Sequence, residues 1–156
     1  EAAGHTVATV NLAPPYTNLG KLVPLLDRRI EQVRSATGAE QVVLIAHSMG
    51  GLVVELLARF GSEHVERLIT IASPHSGSEL ARIGIGANAR EMQPGSLWLK
   101  DLASADVPVR AISIRTPHDN FVARLPGAID VALDGIGHIA VLFSRRTTRE
   151  LVAACR

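Results

Sequence analysis

The passage Gln41–Gly51, QVVLIAHSMGG, constrains this chain more than any other. Gln41 to Ala46 form a short, almost wholly apolar run, which suits a central parallel strand buried on both faces. Val53, Leu56, Leu57 and Phe60 then follow at helical spacing, and Gly61 supplies a stop. Ser48 lies between strand and helix. A serine on such a sharp turn, with small residues two before and two after it, has the form of a nucleophile elbow. The turn projects the hydroxyl above the sheet edge, and Ala46 and Gly50 keep the two backbones from colliding. The Met49 N–H then opens the helix, where the unpaired donors and the helix dipole favour a developing negative charge. A serine here could also do no more than cap the helix. The buried strand before it and the glycine pair after it favour the nucleophile.

Elements of alternating type surround this motif. Thr6–Leu12 alternates apolar and polar residues and predicts a strand. Ala13–Gly20 contains paired prolines and predicts a loop. Leu22, Leu26, Ile30 and Val33 predict an amphipathic helix that Gly38 ends. Arg67–Ala72, Val107–Ile114 and Ile129–Leu133 read as further strands, and Ser144 as the cap of a last helix running to about Ala154. Residues 73–106 lack a clear period and are the natural place for substrate-facing loops. Strands separated by helices of this length imply an α/β fold with a mainly parallel sheet and flanking helices. At 156 residues the chain is long enough for one such domain, expected over 1–156.

Composition excludes several alternatives. The net charge of +1 gives no global field for nucleic acid. Cys155 is the one cysteine, which rules out an internal disulfide. The six histidines show no metal-ligand spacing, so no metal is expected. No run of 18 or more apolar residues is present, so no membrane span is expected. No basic region followed by an apolar one opens the chain, so a soluble protein without a signal peptide is expected and its compartment is unknown.

A serine nucleophile needs a base, and the base needs a carboxylate to orient it. With the order Ser, acid, His, the first four histidines fall too early. His138 lies in the glycine turn Asp134-Gly-Ile-Gly-His138, after the last strand and at the sheet end where α/β proteins place ligands. Asp119 follows the preceding strand, flanked by His118 and Asn120. The economical assignment makes Asp119 the acid and His138 the base. Asp134 is the rival acid, but it would more simply form a turn.

These residues, taken together, resemble the small bacterial lipases and esterases of the α/β-hydrolase superfamily. The elbow Ala46-His-Ser-Met-Gly-Gly51 is similar to theirs, as is Ile71-Ala-Ser-Pro-His-Ser-Gly-Ser78. Gln93-Pro-Gly-Ser-Leu-Trp-Leu99, Pro117-His-Asp-Asn-Phe-Val122 and Gly135-Ile-Gly-His138 resemble their acyl-pocket, acid and histidine segments. The resemblance implies Ser48 as nucleophile, Asp119 as acid, His138 as base and Met49 as one oxyanion-hole donor. Substrate contacts are expected from His47, Tyr16 and Trp98. It further implies hydrolysis of short to medium acyl esters or acylglycerols through an acyl-enzyme, without a cofactor.

One departure from the family matters. Its oxyanion-hole strand, which lies between the strands matching 6–12 and 41–46, has no counterpart in this sequence. The two edges could close on each other, with a donor from the Ala13–Tyr16 loop. A second copy could complete the sheet as a homo-oligomer, or the chain could be part of a longer enzyme. Thioesterase, amidase and acyltransferase chemistry share the same triad. A non-catalytic binding or assembly module is the alternative from a different class.

Overall fold

The computed structural model describes residues 4–61, 63–117 and 124–156. Its sheet has four strands: β1 (Val42–His47), β2 (Val65–Ile71), β3 (Arg110–Arg115) and β4 (Ile129–Ala132). They lie side by side in chain order, and every pairing is parallel. Five α-helices accompany them: α1 (Val23–Thr37), α2 (Met49–Phe60), α3 (Ala87–Glu91), α4 (Leu97–Ala103) and α5 (Arg145–Ala154). This is the expected α/β fold.

Alternation along the strands divides the core in two. Leu44, Leu68 and Ala111 face a cluster with Leu26 and Ile30 of α1, Leu52, Val53 and Leu57 of α2, and Leu99 and Leu102 of α4. Ile69, Ile71, Ile112 and Ile114 face the other way and meet Val141 and Ala154. Each fully buried leucine or isoleucine contributes about 1.5–3 kcal/mol. The two clusters therefore hold the strand ends firmly enough to carry a strained turn.

Helix ends follow the expected chemistry. Pro24 sits in the first turn of α1, and Gly38 closes that helix at φ 75°. Ser144 caps the last helix as predicted, its side chain accepting from the Arg146 N–H. Arg115 and Asp130 tie β3 to β4 through two guanidinium hydrogen bonds of 2.8 and 2.9 Å.

The predicted strand over Thr6–Leu12 does not form. Among the described residues no strand lies between this segment and β1, so the segment does not reach the ladder and β1 remains a sheet edge. Val7 and Val10 remain exposed, while Leu12 packs against the first core and the Thr9 carbonyl accepts from Arg29 Nε. Val107–Val109 likewise stay outside the ladder and pack Val107 and Val109 on that core before β3 begins. Among the described residues no helix is long and apolar enough to cross a membrane.

Candidate active site

The C-terminal ends of β1 and β2 lie in register, His47 against Ile71, and both strands leave the sheet through positive-φ turns. Ser48 has φ 53° and ψ −131°, and Ala72 has φ 46°. A residue with a Cβ pays for such a conformation, so the surroundings must hold it. The Ser48 N–H donates to the Ile71 carbonyl at 2.9 Å, and the Ala72 N–H donates to the Ile114 carbonyl at 2.8 Å. Each strained turn is thus hung on the neighbouring strand.

The crowding at the elbow lies one residue beyond the expected place. A Cβ on Gly50 would meet the Ala46 Cβ at an ordinary 3.7 Å. A Cβ on Gly51 would stand 2.0 Å from Ser73 Oγ and 2.5 Å from Ser73 Cβ. Gly51 is the glycine that the packing demands. It lets α2 lie against the loop leaving β2.

His138 reaches Ser48 across 90 residues of sequence. Its Nε2 lies 3.0 Å from Ser48 Oγ. In the tautomer with its proton on Nδ1, this nitrogen accepts the serine proton. The chain at His138 is itself held, because His47 Nε2 donates to the His138 carbonyl at 3.0 Å. The two imidazole rings lie 4.7 Å apart, tilted by 45°. His47, expected as a substrate contact, thus braces the chain at His138.

Met49 opens α2, so its backbone N–H belongs to the unpaired first turn. Its side chain packs on the first core and meets Asn88 Nδ2 through Sδ at 3.2 Å. Tyr16 is exposed, and its carbonyl accepts from the Ala87 N–H beside Gly86. Trp98 lies on α4, half-buried against the first core. Asp119, with His118 and Asn120, lies outside the described residues. Asp134 forms a turn with Gly135, its carbonyl accepts from Arg146 Nη1, and its carboxylate acts on Arg115.

Behind the elbow lies a buried polar cluster that includes His75 of the segment 71–78. Glu55 of α2 accepts from Arg59 Nε at 2.9 Å and Nη2 at 2.8 Å through one oxygen. Its other oxygen accepts from His75 Nδ1 at 2.6 Å. His75 Nε2 meets Thr70 Oγ1 of β2 at 3.0 Å. A lone glutamate within the apolar run GLVVELLARF, four residues before Arg59, was one sign available. The cluster ties the elbow helix to the loop that presses on Gly51.

Comparison with known proteins finds relatives that share the fold. The family described as the PGAP1-like alpha/beta domain matches residues 21–93. A triacylglycerol lipase of Pseudarthrobacter phenanthrenivorans is 46% identical over 52 residues, 33% of this chain and 16% of that protein. The match thus spans about a sixth of that lipase's length. The Bacillus licheniformis lipase BlEst2 superposes with a TM-score of 0.78 at 16% identity, covering 90% of this chain and 75% of that one. A Paleococcus ferrophilus monoacylglycerol lipase gives 0.61 at 13% identity over 91% of this chain and 78% of that one. At such identities the likeness is one of fold.

Proposed function

We propose that this chain, a member of the α/β-hydrolase superfamily, is a serine-dependent carboxylic ester hydrolase. The observation that carries the proposal is the 3.0 Å approach of His138 Nε2 to Ser48 Oγ on a strained strand-to-helix turn. A packing serine has no need of positive φ, of a histidine in hydrogen-bond reach, or of a second histidine fixing that one.

In this mechanism His138 takes the Ser48 proton as Oγ attacks the ester carbonyl. The carbonyl π pair moves onto oxygen, and the oxyanion forms beside the Met49 N–H at the start of α2. Collapse breaks the bond to the alkoxy group, which leaves as the alcohol with the proton from His138. Water then attacks the acyl-enzyme, giving its proton to His138, and Ser48 Oγ departs with that proton. Asp119 orients the imidazole. A second oxyanion donor comes from the Ala13–Tyr16 loop, which Ala87 and Asn88 bridge to the elbow. Substrates are esters of short to medium acyl chains, with Tyr16 and Trp98 flanking the acyl path.

Hydrolysis of p-nitrophenyl butyrate by the chain, beside a Ser48→Ala variant of equal circular dichroism, tests the proposal. The rate is expected to fall by a factor of about 10³ or more in the variant. Equal rates would remove Ser48 from the chemistry. The exposed edge of β1 favours a second reading, a non-catalytic module of this fold. Failure of a fluorophosphonate probe to label Ser48 in the folded chain would carry that reading instead.

A further inference from the structure

The segment after the catalytic histidine holds large apolar side chains in solvent. Ala140–Phe143 form a short 3-10 turn. Val141 is completely buried in the second core. Around it Ile139, Leu142 and Phe143 are 61%, 42% and 81% exposed. The inward anchor fixes their orientation, so their exposure follows from the fold.

An arginine ridge continues from this wedge. Arg145 and Arg146 occupy the first turn of α5, Arg149 lies one turn on, and all three are exposed. No acidic residue stands in that first turn. Cations there oppose the helix dipole, so the arrangement costs stability while raising the local positive potential. None of the ion pairs among the described residues includes these three arginines. Glu150 is the only acid on the helix.

Wedge and ridge lie at the same C-terminal edge of the sheet as the dyad, where the strands end. The Arg146 guanidinium bonds the Asp134 carbonyl just past the end of β4. The far end of α5 meets Arg67 near the start of β2. On the other side of Ser48, Tyr16, Ile83 and Ile85 are exposed, and Asn88 and Ala87 link their loops to the elbow.

We infer that this edge docks on an anionic lipid surface. Ile139, Leu142 and Phe143 enter the headgroup region, and Arg145, Arg146 and Arg149 face its phosphates. A wedge of apolar side chains, beside cations outside any ion pair, matches a broad deformable surface of negative charge. They suit a second copy of the chain poorly, since a two-fold axis would set the same arginines against each other. Docking goes beyond the ester chemistry and does not depend on it.

The test is co-sedimentation of the chain with vesicles of phosphatidylcholine alone, and of phosphatidylcholine with an equal amount of phosphatidylglycerol. At about fivefold per arginine, the mixed vesicles should bind up to about a hundredfold more tightly. Salt should remove most of that difference. Arg145→Ala with Arg149→Ala should weaken binding to the mixed vesicles by about 25-fold. Phe143→Ser should weaken binding to both kinds by about tenfold. Circular dichroism reports the fold of each variant, so absence of esterase activity leaves this test intact. The salt series on the unaltered chain needs no variant at all. Equal binding to both vesicles, or binding insensitive to salt, overturns the inference. So does self-association that Phe143→Ser abolishes while vesicle binding is absent, which would assign the patch to a second copy.

Discussion

Replacing Gly51 by alanine should inactivate the site far more than it destabilises the fold. The new Cβ would lie 2.0 Å from Ser73 Oγ and 2.5 Å from Ser73 Cβ. The hydroxyl can rotate away, but the Cβ cannot. An ordinary carbon contact of about 3.5 Å therefore needs a shift of about 1 Å between α2 and the loop after β2. Ser48 sits between them, hung by its N–H on Ile71, the residue whose carbonyl Ser73 also bonds. A displacement of this size can cost about 10²-fold in turnover. Stability responds less, because overpacking costs about 1–3 kcal/mol while alanine in a helix returns about 1 kcal/mol relative to glycine. The net loss of about 0–2 kcal/mol corresponds to a Tm fall of at most about 8 °C. Adding Ser73→Gly removes both clashing atoms and leaves Thr70 Cγ2, at 3.4 Å, as the nearest neighbour. The assay is p-nitrophenyl butyrate hydrolysis with thermal denaturation for both variants. Wild-type kcat/KM in Gly51→Ala, or no recovery in a folded double variant, would refute the reasoning.

Three further outcomes follow from the structure. His47→Ala removes the hydrogen bond to the His138 carbonyl, worth about 0.5–1.5 kcal/mol. Steady-state kinetics should show kcat falling roughly 2- to 10-fold with KM little changed. Glu55→Leu leaves Arg59 and His75 buried without their carboxylate, and removing one partner of such a cluster costs about 3–5 kcal/mol. Denaturant melts should show that loss, and Arg59→Met with His75→Phe added should recover much of it. Asp130 has its carboxyl held below the ordinary range, chiefly by the hydrogen bond from Arg115, with burial opposing. Its contribution is present above the unfolded carboxylate pKa of about 4 and is lost as pH falls through the lower folded value. The stability difference between the wild type and Asp130→Asn should thus be under about 1 kcal/mol at neutral pH and should vanish in strong acid.

The parts legible in the sequence were those set by local pattern. The apolar run before Ser48, the helical spacing after it, Gly38 and Ser144 each specify their element within a few neighbours. The approach of His138 to Ser48 was legible because chain order in this fold is itself a constraint. Thr6–Leu12 misled because alternation describes a strand's faces and not whether the strand it would pair with is there. Glu55, His75 and Thr70 meet only after α2 folds back over β2, so no spacing announces them. The Gly51–Ser73 contact is equally non-local, and the motif directs attention to Gly50 instead.

The bond from His47 to the His138 carbonyl makes the strand that leads into Ser48 the gauge for His138. The reference point is one residue from Ser48, while 90 residues of chain separate Ser48 from His138. Errors of length along that intervening chain do not accumulate in the gap between Oγ and Nε2. The exposed stretch around Ile83 and Ile85 is therefore open to insertion, deletion and exchange without disturbing that gap.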